Sequence, residues 1–231
     1  MIDIIFLVIF VTLIGLYGLK KKVIDKSGFI ASIIVGLGVV FSLPLPWFIP
    51  LIILFVLGGL TARYKWDLKR RIGKAERKGG RTYANVFGNG LVPLVSAILY
   101  FVTKNPVFIY AYLASVGEAC ADTVATEIGQ LSKNKPMLIT NLKRVRPGTS
   151  GGISILGEIA AIIAIVVTIL YPIAHYHQFN IFIPVLLSSF IGVNVDSIIG
   201  ATLEDKTRFV NNHVTNFLAT LTSAVIVILI L

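Results

Sequence analysis

The stretch GEACADTVATEIGQLSKNKPMLITNLKRVRPGTSGGISILG, residues 117–157, decides how the chain is read. It ends an apolar run with Glu118, Asp122 and Glu127, continues as a basic loop, and closes on the glycine-rich turn PGTSGG before a second apolar run. A charge inside an apolar span costs roughly 2.5–3.5 kcal/mol on insertion scales, so these acids are expected to face a protein interior or a wet cavity. Buried ion pairs that lock helix packing would also account for them. A site is favoured over that alternative because the acids adjoin a cationic, glycine-rich loop.

The composition outside this stretch fits the same reading. Of the 231 residues, 56% are hydrophobic and 14% charged, with a mean hydropathy of +0.87. A soluble domain carries roughly 25% charged residues. The sequence therefore predicts an all-α, polytopic membrane protein organised as one integral membrane domain over residues 1–231. The formal charge of +10 would suggest nucleic acid in a soluble chain. In a membrane chain it points first to orientation and to anionic lipid headgroups, so membrane lipids are expected partners and nucleic acid is not. A lone cysteine, Cys120, excludes an intrachain disulfide and supplies no metal-ligand pattern.

About eight spans are predicted, over residues 2–19, 28–43, 50–60, 91–102, 107–129, 151–173, 181–202 and 215–231. Lys20, Lys21 and Lys22 follow the first apolar run, an order that argues against a cleaved leader. Basic loops are expected at about 61–83 and 130–150. With both termini placed outside the cytoplasm, all of the 21 Lys and Arg residues except Lys104 fall on the cytoplasmic side. That bias agrees with the positive-inside rule and puts the acids, the glycine-rich turn and Asn85 near the cytoplasmic face.

The first basic loop holds Arg63, Lys65, Lys69, Arg70, Arg71, Lys74, Arg77, Lys78 and Arg81, most of them read as an ordinary cytoplasmic bias. In GGRTYANVFGNG, residues 79–90, Asn85 and Asn89 are four apart and share a helix face. Glycines there, Gly79 included, allow close helix approach. Glu118 and Asp122 share a face in the same way, whereas Glu127 joins them only if the helix ends or bends. Asp196 sits four residues before Gly200, which leaves room beside the acid. Asn211, Asn212 and Asn216 open the last span, where N-capping is at least as good an account as substrate contact.

Carboxylates are the hard ligands magnesium takes, one or two at a time beside substrate phosphates. Glycine-rich turns at helix N-termini favour anions through free N–H groups. The turn PGTSGG is expected to open the sixth span in this manner, with Thr149 and Ser150 as extra donors and Lys143, Arg144 and Arg146 just upstream. These are the parts of a magnesium-phosphate site, although no Walker pattern is present.

Taken in order, GGRTYANVFGNG, ADTVATEIG, LITNLKRVRPGTSGGIS and DSIIGAT resemble the phytyl-phosphate kinase family of membrane proteins, over most of the chain from Ser27 onward. The resemblance implies phosphorylation of a prenyl monophosphate to the diphosphate, with Mg2+ as cofactor. It also implies a nucleoside triphosphate donor, CTP being the plausible one. Asp122 and Glu127 are then the expected magnesium ligands, with Glu118 and Asp196 as further ligands or support. Gly148, Thr149, Ser150, Gly151, Gly152 and Ser154 would cradle the triphosphate, Arg81, Asn85 and Lys143 would meet phosphates, and Asn89 would orient phosphate or water. Two other functions remain open from the residues alone: a lipid cytidylyltransferase, and a transporter of a phosphorylated solute.

Overall fold

In the computed structural model, residues 2–71, 80–204, 207 and 209–231 are described. Lys74, Arg77, Lys78, Gly79, Lys206 and Arg208 lie outside the described residues. The chain is nearly all-helical. In order it forms α1 (Ile2–Lys20), α2 (Lys26–Ser42), α3 (Leu45–Arg63), α4 (Trp66–Arg71), α5 (Tyr83–Thr103) and α6 (Val107–Gly129). Two short strands follow, β1 (Met137–Leu138) and β2 (Gly152–Ile153), then α7 (Ile155–His175), α8 (Phe182–Thr202) and α9 (Asn212–Ile230). A single turn of 3-10 helix, Phe179–Ile181, leads into α8.

Among the described residues, six helices are long and apolar enough to cross a membrane: α3, α5, α6, α7, α9, and α8 together with the turn before it. The apolar stretches of α1 and α2, Leu7–Lys20 and Lys26–Ser42, are shorter.

Helix α6 is the axis of the bundle. In its most apolar window 78% of residues are buried, against 33–39% in the other five. It packs on α3, α5, α7, α8 and α9. Small residues on α6, among them Ala111, Ala114, Gly117 and Ala121, allow this close approach. Ser189 of α8 donates its hydroxyl to the Ala114 carbonyl at 2.9 Å, and a Cβ on Gly117 would lie 2.7 Å from that same hydroxyl.

Several helix starts differ from the sequence-based expectation, each for a local reason. Helix α3 begins at Leu45 instead of residue 50, with Pro46 in the first turn, where a missing N–H costs nothing. Helix α5 begins at Tyr83 and so includes both asparagines, because Thr82 and Asn85 form a reciprocal capping box. Helix α7 begins at Ile155 instead of residue 151. Ser154 caps it by accepting from the Gly157 N–H at 3.2 Å, and Gly152 and Ile153 are already paired with Leu138 and Met137 in the small antiparallel sheet.

The segment before α5 is pinned to the start of α2 through backbone groups. Arg81 donates to the Val23 carbonyl at 2.9 Å, and its own carbonyl accepts from the Asp25 N–H at 3.0 Å. Asp25 caps α2, accepting from the Gly28 N–H and the Ser27 hydroxyl, both at 2.7 Å. Those two donors, the backbone one foremost, hold the Asp25 carboxyl below its ordinary range. A Cβ on Gly28 would run into the Arg81 carbonyl, so glycine is required where the two segments cross.

Candidate functional site

A polar cleft of about 320 Å³ opens where α5, α6, α8 and α9 meet the loop between α6 and α7. Its walls gather most of the residues singled out from sequence: Arg81, Asn85, Asn89, Asp122, Glu127, Asp196, and residues 148–152 and 154.

The carboxylates are arranged in depth. Asp122 and Asp196 line the cleft, and Asp122 lies within electrostatic reach of Arg81, Glu204 and Glu127. Asp196 in turn faces Asp122 and Glu204. Glu118 lies one turn deeper, 1% exposed and outside the cleft wall, with Gly192 of α8 so close that a Cβ there would lie 2.7 Å from its Cγ. One oxygen of Asp196 and both of Glu118 are buried with no hydrogen-bond partner among the described residues. Buried carboxylate oxygens are costly to leave unsatisfied, and a group that satisfies them is the usual explanation.

Glu127, an expected magnesium ligand, lines the cleft and is also paired with a lysine. Its Oε2 accepts from Nζ of Lys69, which is fully buried and also donates to the carbonyls of Thr61 and Ala62, each at 2.8 Å. Lys69 thereby uses all three of its donors. The expected magnesium ligand is thus in an ion pair that ties α4 to α6. Among the described residues, no three His, Cys, Asp or Glu side chains form a ready-made metal cluster.

Arg81 enters the cleft from its pinned backbone. Its Nη1 would lie 3.0 Å from a Cβ on Gly58 of α3, and the Thr123 methyl of α6 would lie 3.4 Å from the same point, so the guanidinium sits between those two helices. Asn85 is partly committed, since Oδ1 accepts from the Thr82 N–H at 3.0 Å and the Thr82 hydroxyl at 3.2 Å. Asn89 donates to the Asn85 carbonyl at 3.0 Å and accepts from Asn216 of α9 at 3.2 Å.

The glycine-rich turn also lines the cleft, but it is a turn closed on itself and not the first turn of α7. Thr149 N–H donates to the Arg146 carbonyl at 3.1 Å and Gly152 N–H to the Thr149 carbonyl at 2.9 Å. The Thr149 hydroxyl also bonds the Arg146 carbonyl, at 2.8 Å, and Ser154 reaches the Gly129 carbonyl at 3.3 Å. Gly148 and Gly151 adopt left-handed φ values of 78° and 73°. A Cβ on Gly151 would also strike the Ser197 carbonyl and Ala201 of α8. Gly151 is therefore the glycine that the packing demands, more than Gly152.

Besides Glu118, which lies beneath the cleft, Lys143 is an expected site residue that the fold does not bring into the cleft wall. It is exposed and absent from the cleft wall, with its N–H donated to Asn141 at 3.0 Å and its carbonyl accepting from Leu138 at 2.9 Å. Leu142, just before it, sits in a tight turn at φ 56°. Lys133, Lys135, Arg144 and Arg146 surround a separate open depression that shares only Thr149 with the cleft. Several residues that the sequence reading did not select do line the cleft, Thr126, Gln130, Glu158, Ser197 and Glu204, as does Asn212, which it left between N-capping and substrate contact. For Thr126 and Ser197 a signal was present, since each lies within a turn of a selected acid on the same helix. Lys69 had none, because nothing local separates it from the other cations of its loop.

Comparison with known proteins places the chain in a family. Residues 9–224 match the family described as integral membrane protein DUF92. An uncharacterized membrane protein of Methanocaldococcus jannaschii is 32% identical over 211 residues, covering 91% of this chain and 87% of that protein. An uncharacterized membrane protein of Synechocystis is 32% identical over 199 residues, covering 83% and 77%. The chloroplastic protein VTE6 of Arabidopsis thaliana is 29% identical over 185 residues, which covers 76% of this chain but 55% of that one. No solved structure matches. The chain belongs to the DUF92 family of integral membrane proteins, in agreement with the resemblance carried by its motifs.

Proposed function

We propose that the protein is a membrane-embedded, nucleotide-dependent prenyl-phosphate kinase that converts a prenyl monophosphate, such as phytyl or geranylgeranyl phosphate, to the diphosphate, with CTP as donor. The observation that carries this reading is the convergence of Asp122 and Asp196, Arg81, and the turn 147–154 on one cleft, although they come from four separate parts of the chain.

The cleft's chemistry suits phosphoryl transfer, where catalysis rests on positioning and charge neutralisation. An acceptor phosphate has a second pKa of about 6, so at neutral pH it is largely ionised and needs no strong general base. An oxygen of the acceptor attacks the γ-phosphorus of the nucleotide, the bond to the β-bridging oxygen breaks, and CDP leaves. Arg81 holds the acceptor phosphate, and Asn89, fixed by Asn85 and Asn216, orients it. The turn 147–154 holds the donor phosphates.

Magnesium fits the acids on one observation in particular, the buried oxygen of Asp196 that lacks a partner among the described residues. Because magnesium usually takes only one or two protein carboxylates and completes its shell from phosphate and water, Asp122 and Asp196 suffice as its ligands. Glu118 supports them from beneath. When bound, the ion neutralises charge on the transferring phosphoryl group. Glu127 contributes by holding α4 in place through Lys69.

On the same reading, α1 and α2 complete eight spans, the chain forms one membrane domain, the cleft opens to the cytoplasm and both termini lie on the other side. The bias of Lys and Arg supports that orientation.

The test is product analysis with purified protein, geranylgeranyl phosphate, and CTP labelled at either the α- or the γ-phosphate. A kinase moves the γ-label to the lipid and leaves the α-label in CDP. Transfer of the α-label to lipid with release of pyrophosphate would replace this reading with a cytidylyltransferase. No turnover with any nucleotide would remove the enzyme reading.

A further inference from the structure

A second cavity, of about 120 Å³, lies among α1, α2, α3 and α5. Its walls are apolar almost throughout, with Val11, Val35, Phe48, Leu51, Ile52 and Phe55 as the principal surfaces. Arg81, Asn85 and Asn89 line this cavity and the polar cleft alike. One cationic and two amide side chains therefore stand at the mouth between an apolar chamber and a charged one.

We propose that this apolar cavity holds the phosphate-proximal part of the acceptor's isoprenoid chain, with the phosphate against Arg81 and the asparagines. The assignment rests on the prenyl-phosphate reading of the cleft. An amphiphile with a phosphate head needs an apolar space continuous with a cation, and here the two meet at the Arg81 guanidinium, which lines both cavities. Along α3 the distance from Gly58, which packs on Arg81, to Phe48 at the far end is about 15 Å at about 1.5 Å per residue. Whole-ligand pockets run to roughly 300–1,000 Å³, so a chamber of this size takes the first isoprene units and leaves the remainder to the membrane. Glycine sets its width. A Cβ on Gly36 of α2 would lie 2.9 Å from Val11 of α1, and one on Gly90 of α5 would lie 3.1 Å from Val35.

The test uses a geranylgeranyl phosphate that carries a diazirine in its first isoprene units, photolysed with the full-length protein in detergent and mapped by mass spectrometry. Labelling of α2 and α3 around Val35, Leu51 and Ile52 is expected, competed by geranylgeranyl phosphate and not by phosphatidic acid. In parallel, Gly36→Leu and Ile52→Trp are expected to raise KM for geranylgeranyl phosphate at least tenfold while KM for CTP stays within twofold. Ile52→Trp serves if Gly36→Leu does not fold. Turnover with labelling confined to other helices would overturn the groove and leave the kinase standing. Groove labelling without turnover by any nucleotide would overturn the kinase and support the groove. Equal competition by phosphatidic acid, or equal rises in both KM values, would overturn the assignment of this groove to the isoprenoid chain.

Discussion

Lys69 on the six-residue helix α4 and Glu127 near the end of α6 form a buried ion pair at the cleft wall, with two main-chain carbonyls completing the lysine's bonds. Removing one partner of a buried pair costs roughly 3–5 kcal/mol, because the other charge is left uncompensated. Lys69→Met and Glu127→Gln are each expected to lower stability by about that amount. The double variant, with no net charge left in the pocket, is expected to recover most of the loss. Thermal unfolding in detergent measures all three. A double variant as unstable as the sum of the singles would show that the pair is not coupled in this way.

Gly151 and Gly152 are adjacent but are held by different constraints. Gly151 is left-handed and packed on α8, whereas the nearest atom to a Cβ on Gly152 would be the Thr149 carbonyl oxygen at 2.9 Å, a looser approach than that of the Ser197 carbonyl at Gly151, and its φ is not left-handed. Gly151→Ala is expected to destabilise by about 1–3 kcal/mol, the scale for a strained left-handed residue, and to weaken nucleotide binding as the turn moves off α8. Gly152→Ala is expected to cost less on both counts. Comparing unfolding midpoints and CTP affinities of the two variants decides the order.

What the sequence reveals about this site follows from how local each signal is. Glu118 with Asp122 and Asn85 with Asn89 are readable because i and i+4 on a helix share a face whatever packs against it. The order of apolar runs and basic loops is readable because a bilayer imposes length and charge asymmetry on any sequence. Lys69 is not readable, since its three acceptors lie on α3 and α6, as far as 58 positions away. The turn after Pro147 misleads for the same reason. Its glycines look like the start of a helix, and only the distant pairing of residues 137–138 with 152–153 draws them into a small sheet. The grouping of Glu204, Asn212 and Asn216 with Asp122 likewise depends on how α8 and α9 close around α6.

Orientation is open to a direct check. Lys135 and His177 are both exposed and lie at opposite ends of α7 with its preceding loop. With the buried Cys120 replaced, a cysteine at position 135 is expected to react with an impermeant reagent from the cytoplasmic side only. A cysteine at position 177 is expected to react from the other side only. Labelling of both from one side would contradict the proposed crossing of α7.

The central claim is that Asp122 and Asp196 form the electrostatic core of a phosphoryl-transfer cleft. Asp122 and Asp196 are like charges within electrostatic reach of each other, so removing one charge spares or improves folding while it removes metal binding and charge neutralisation. The most direct measurement is the rate of γ-phosphate transfer from labelled CTP to geranylgeranyl phosphate by wild-type, Asp122→Asn and Asp196→Asn protein over a magnesium titration, with unfolding midpoints recorded in parallel. The expected result is a loss of roughly 10²–10³-fold in kcat for each variant, the scale for losing one electrostatic stabiliser, with midpoints unchanged or raised. Near-wild-type rates across the titration in both variants would contradict the account.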